Sequence, residues 1–196
     1  MGFYCTEDVE LAKEWAVSYD RDGYSNTYLI DDSGLNVLQL DSVEYTALHW
    51  IEMLISNRTF DVNTPIAMEA IRYLQDNFHV DTSDADVIIG YRADDSYFTY
   101  AREFLNNTIS YEQLVKALRL GNLGQQYVLK NQRAFDAIQF VEAYSVKSEE
   151  YYPRKALRDS EARKAYRKMV PADIYNDIFM INILREEMKA DDSRLQ

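Results

Sequence analysis

The sequence predicts an α+β fold, and three observations carry that prediction. Short apolar runs bounded by turn residues are interleaved with segments of helical periodicity. Several of the helical segments open on recognisable caps, and from about residue 148 the pattern is helical to the end. A chain of 196 residues, 47% of them hydrophobic, is long enough to bury a core and suits one globular domain with an appendage.

Thr6 is placed to cap the first helix. Glu7 and Asp8 in its first turn complement the positive end of the helix dipole, and Leu11, Ala12, Trp15, Ala16 and Tyr19 form its apolar side. Strands are expected at 27–30 and 35–40, joined as a tight hairpin by Asp31, Asp32, Ser33 and Gly34. Two helices follow. The first is capped near Ser42 and turns Leu48, Ile51, Leu54 and Ile55 to one side; the second opens on Thr64 and Pro65 and runs through Ile66, Ala70, Ile71 and Leu74.

Residues 86–91 (DVIIGY) read as an apolar strand. Ala93, Asp94 and Asp95 then turn into a helix bearing Tyr97, Phe98, Ala101, Phe104 and Leu105. Ser110 and Gln113 form a capping box for another helix, which stops at Gly121. Strands at 125–130 and 138–146 surround a short helix near Phe135. Pro171 interrupts the helical C-terminal region ahead of a last amphipathic helix with Ile174, Ile178, Ile181 and Met188.

Composition excludes several functions. No apolar run approaches the roughly 20 residues that span a bilayer, and the single Cys5 cannot form an intramolecular disulfide, so a cytoplasmic location is expected. A net charge of −12 opposes binding to phosphate backbones, whose affinity comes from lysine and arginine. The most basic stretch, from Arg154 to Lys168, is interrupted by Asp159 and Glu161 and reads as a solvated helix face. Two histidines and one cysteine without ligand spacing predict no metal. Cys5 has no adjacent base, since His49 and His79 fall in or at the end of predicted helices, so a structural cysteine is expected rather than a nucleophile. Arg92, Asp94 and Asp95 are read as a turn, with a site role as the other option.

Four stretches carry a family resemblance: GFYCTEDVELAKEWA at 2–16, LNVLQLD at 35–41, DVIIGYRADDSYF at 86–98 and LGNLGQQYVLKNQRAFDAIQF at 120–140. On them the chain resembles the bacterial domain-of-unknown-function 3990 family, which is grouped with the ADP-ribosyltransferase fold. The resemblance implies an ADP-ribosyltransferase-like split β-sandwich with helices over residues 1–146 and a C-terminal helical extension over 147–196. It also implies NAD as the substrate, bound between two small sheets.

The first stretch is also similar to the loop of poly-ADP-ribose polymerases, which reads glycine, isoleucine, tyrosine, phenylalanine and then a helix. That match makes Gly2, Tyr4 and Thr6 the cofactor-binding residues. Tyr4 would stack on the nicotinamide ring, since an aromatic face attracts a cationic pyridinium, and Gly2 would let the backbone approach the cofactor. Where transferases of this fold have a glutamate on the ribose, this chain has Gln125 and Gln126, with Gln126 the better match. An amide orients a hydroxyl but carries no charge and cannot act as a general base. Polymer formation is therefore not expected; mono-ADP-ribosyl transfer, NAD hydrolysis or binding alone remain. On the residues alone, Tyr4 also reads as core and the two glutamines as a solvated strand edge. Family members usually open on a Tyr-His-Gly-Ser strand, and the expectation is that this chain starts after it.

Two functions follow from this reading. One is an NAD-dependent mono-ADP-ribosyltransferase or NAD glycohydrolase with Gln126 and Gln125 at the ribose and an unknown acceptor. The other is a non-catalytic interaction module that keeps the fold and acts with a small operon-encoded partner. The apolar stripe of the C-terminal helices suits docking or homo-oligomerisation.

Overall fold

The computed structural model describes residues 2–58, 60, 62–91, 95–169 and 176–196, leaving aside the side chains of 95–97. Arg92, Ala93, Asp94, Pro171 and Ile174 lie outside the described residues, as does the side chain of Asp95. Among those described, the fold is α+β. In chain order the elements begin β1 (Phe3–Cys5), α1 (Val9–Ala16), β2 (Gly23–Ile30), β3 (Val37–Gln39), α2 (Ala47–Asn57), α3 (Pro65–Asn77) and β4 (Val87–Tyr91). They continue α4 (Asp95–Leu105), α5 (Tyr111–Ala117), β5 (Gln125–Leu129), α6 (Gln132–Asp136), β6 (Ile138–Val146), α7 (Ser148–Met169) and α8 (Met180–Arg185).

The chain forms two compact units, each gathered from three segments. Met1–Gln39, Thr82–Arg92 and Gly121–Ala162 make the first; Leu40–Asp81, Ala93–Leu120 and Arg163–Gln196 make the second.

The first unit holds both sheets. One has four strands in the order β1-β5-β4-β3, antiparallel except for the parallel β4–β3 pair. The other is the antiparallel ribbon β2–β6, with a register shift between Thr27 and Tyr28 that leaves Val141 as the extra residue. Val87, Ile89, Leu129 and Ala134 form a buried cluster on one face of the larger sheet, with Phe3, Cys5, Leu35, Tyr127 and Ile138 packed against it. Beneath β6, Tyr151 of α7 buries against Val17 and Val146.

Asp86, buried just ahead of β4, ties this unit together. One carboxylate oxygen accepts from the Asn36 backbone at 2.8 Å and from Arg133 at 3.1 Å, and the other accepts from the Asn131 side chain at 2.8 Å. Those hydrogen bonds, the Asn36 backbone foremost, hold its carboxyl below the usual carboxylate range. Asn131 in turn caps α6 by accepting from Ala134 N.

Two sequence expectations fail in this unit. Thr6 is not the cap of α1: its hydroxyl accepts from Asp8 N at 3.2 Å, and Asp8 caps the helix by accepting from Leu11 N at 3.0 Å. The strand pairing of Cys5 with Tyr127 holds the chain extended further than the capping pattern suggests. The hairpin expected between 27–30 and 35–40 is also absent. Its turn exists, with Ser33 N donating to the Asp31 carboxylate and Leu35 N to Asp32 O, but β2 pairs with β6 and β3 with β4. Turn chemistry reverses the chain locally, whereas pairing follows the longer match. β2, at eight residues, is satisfied along its whole length by the nine-residue β6.

The second unit is helical. Leu48, Ile51, Leu74, Phe78, Phe104, Leu105 and Leu114 fill its interior with Met180, Ile183 and Leu195 from the C-terminal segment. Thr64 caps α3 and the Ser110–Gln113 box caps α5, as the sequence indicates. The cap of α2 is Thr46 rather than Ser42, in a box completed by His49. The last helix is shorter than its apolar pattern: α8 ends at Arg185, and Ile178 precedes it, accepting from Tyr111 N at 2.6 Å. Tyr73 and Tyr111 donate their hydroxyls to the carbonyls of Met188 and Leu195. Among the described residues no helix is long and apolar enough to cross a membrane.

Candidate active site

A cavity of about 560 Å³ opens in the first unit between the β1–β5 side of the larger sheet and the β2–β6 ribbon, with α1 as a third wall. Its size lies in the range of small-molecule sites. From the larger sheet come Phe3, Tyr4, Cys5, Gln126, Tyr127 and Leu129; the strand-to-helix loop adds Thr6 and Glu7, and α1 adds Val9, Ala12, Trp15 and Ala16. The ribbon supplies Tyr24 through Tyr28, Ile30 and Ile138.

Backbone geometry fixes these walls. Gly23 begins β2 where a Cβ would overlap the carbonyl oxygen of Ala16, so only glycine lets the ribbon pass so close to α1. The aromatic side of β2 then reaches the larger sheet through Phe3, which meets Tyr28 edge-on at 5.6 Å and Phe135 at 5.4 Å between ring centroids.

Of the residues singled out in the sequence, Tyr4, Thr6 and Gln126 stand at this cavity, although more than a hundred residues separate the third from the first two. Gln125 and Gly2 do not line it. A Cβ on Gly2 would come within 2.6 Å of Val128 Cγ1 and 3.0 Å of Leu129 O, so its missing side chain serves the approach of β1 to β5.

Strand register refines the placement. Tyr4 lies opposite Val128, two residues from Gln126, while Phe3 and Cys5 lie opposite Leu129 and Tyr127. Because side chains alternate, Tyr4 and Gln126 share one face and Phe3, Cys5, Tyr127 and Leu129 share the other, the face of the buried cluster. Tyr4 and Gln126 therefore line the cavity from the strand face opposite the one that carries Phe3, Cys5 and Tyr127, and Tyr4 is 56% exposed.

Sequence reasoning missed much of the wall. Trp15 reads as the apolar side of a helix, and Tyr24 and Asn26 precede the strand expected at 27–30. In YSNTYLI the strand β2 extends back to Gly23, with Ser25 buried and Tyr24 70% exposed. Tyr127 donates its hydroxyl to Glu7 Oε1 at 2.5 Å, and both residues line the cavity. Cys5 is half-buried, and burial pushes its thiol above the ordinary value, which disfavours the thiolate a nucleophile needs. His49 and His79 belong to the second unit, where His49 completes a helix cap and His79 lies 3.2 Å from Glu52. Among the described residues no group of three or more histidine, cysteine, aspartate or glutamate side chains is placed to hold a metal.

No curated protein and no solved structure matches this chain. The model of a family described as a protein of unknown function, DUF3990, matches residues 1–140. That span runs from β1 into β6 and takes in every residue lining the cavity. On a match of this extent, the chain belongs to the DUF3990 family.

Proposed function

We propose that the chain is an ADP-ribosyltransferase-like protein that binds NAD at this cavity and transfers ADP-ribose to an acceptor or to water. The reading is supported above all by one observation: Tyr4, Thr6 and Gln126, drawn from two distant stretches, meet at an aromatic-walled cavity between two small sheets. In the reaction, the bond between C1′ of the ribose and the nicotinamide nitrogen breaks and its electron pair leaves with neutral nicotinamide. The acceptor then bonds to C1′ and gives up its proton. The aromatic lining would hold the ring, and the Gln126 amide would orient a ribose hydroxyl while stabilising no charge. Among the described residues no lysine or arginine lines the cavity, so it suits the nicotinamide–ribose half, and this reading puts the diphosphate outside. Incubation of the purified chain with NAD, with released nicotinamide measured by chromatography, is expected to show release that Tyr4→Ala and Gln126→Ala each reduce at least tenfold. Absence of any release would remove the catalytic reading.

A second reading, a non-catalytic interaction module, is favoured by the ribbon. Leu29, Phe140 and Val141 on β2 and β6 are exposed by 64%, 55% and 48%, an unusual amount of apolar side chain on a two-stranded sheet. Tight partner binding indifferent to NAD would favour it.

A further inference from the structure

Among the described residues that line the cavity, one carries a charged side chain: Glu7. Its exposed carboxylate accepts a 2.5 Å hydrogen bond from the Tyr127 hydroxyl, and Trp15, Tyr24 and Tyr28 line the same cavity. A carboxylate in an aromatic-lined wall that holds no lysine or arginine among the described residues attracts cations and repels anions. We infer that Glu7 is a specificity-determining residue, which makes this cavity prefer a positively charged planar nitrogen heterocycle over its neutral counterpart. Tyr127 is its positioning residue. The inference rests on the reading above only for the identity of that ring, a pyridinium such as the oxidised nicotinamide of NAD. It supplies a negative charge at the site that Gln126 lacks.

The test compares 1-methylnicotinamide, a cation, with neutral nicotinamide, by calorimetric titration of the full chain. The wild type is expected to bind the cation more tightly, and sodium chloride is expected to erode that preference because Glu7 faces solvent. Glu7→Gln should weaken the cation about fivefold, the size of a unit-charge attraction in a watery site, and leave nicotinamide unchanged. Tyr127→Phe, which keeps the charge but frees the carboxylate, should fall between. Equal weakening of both ligands, no weakening of either, or no binding of the cation would overturn the inference. If Glu7→Gln does not fold, a wild-type preference unaffected by salt overturns it instead. NAD cleavage without charge preference would sink this inference and spare the proposed function; charge preference without nicotinamide release would do the reverse.

Discussion

Gly23 is the residue on which the cavity's geometry turns. The atom its side chain would occupy is already taken by the Ala16 carbonyl oxygen, and a backbone obstacle cannot be relieved by changing a rotamer. Gly23→Ala is therefore expected to cost at least ~3 kcal/mol in denaturant unfolding and to part α1 from β2. Alanine at Gly34, where nothing but the end of the Arg133 side chain lies within 4.0 Å, should change stability by less than ~0.5 kcal/mol at a surface turn. Equal losses at the two positions would refute the argument. Residue by residue, the sequence makes legible those site positions that sit in a short recognisable run, such as Tyr4 and Thr6 in GFYCT and Gln126 in LGQQYVLKN. Glu7 and Trp15 are hidden because each also satisfies a helix rule, an acidic first turn and an apolar stripe. Only the fold shows that the same side chains face a cavity.

At the scale of elements, the α2 cap shows how a local rule is met by an unexpected residue. A capping box usually has glutamate or glutamine at its third helical position; here His49 takes that place, and its Nδ1 accepts from Thr46 N at 2.9 Å. The bond needs that nitrogen unprotonated, and burial pushes the imidazole below its ordinary value. A depressed folded value means that the stabilisation is complete above the unfolded histidine pKa, ~6.5, and is lost as pH falls through the folded one. Thermal melts between pH 5 and 7 should thus show a loss toward acid in the wild type that is smaller in His49→Gln, whose amide oxygen restores the acceptor. His49→Ala should cost ~2 kcal/mol at neutral pH, from the lost cap and the ring's edge contacts with Tyr45 and Phe78. Matching pH profiles for wild type and His49→Gln would remove the capping explanation. The misread cap is a local rule met by an unusual residue, whereas the misread hairpin has a long-range cause: β2 and β6, more than a hundred residues apart in their closest pairs, are joined by contacts no local window contains.

For the whole molecule, the two units are each built from early, middle and late chain segments, so the C-terminal residues complete structures begun far upstream. In the first unit Tyr151 of α7 packs on Val17 and Val146, and Arg158 faces Glu14 of α1 at 2.5 Å. In the second, Met180, Ile183, Met188 and Leu195 are buried to 2% exposure or less. Burying such a side chain contributes roughly 1.5–3 kcal/mol, so these four together supply on the order of 6–12 kcal/mol, comparable to the whole stability of an ordinary domain, about 5–15 kcal/mol. A chain ended at Val146 keeps every residue of the family match and every residue of the cavity wall, yet it exposes the surfaces that Tyr151, Met180, Ile183, Met188 and Leu195 cover. It is expected to bind a hydrophobic dye and to melt without a cooperative transition, whereas the full chain melts cooperatively. A sharp transition in the shortened chain, near the temperature of the full one, would mean that the first 146 residues hold their own core and that α7 and α8 contribute little to it.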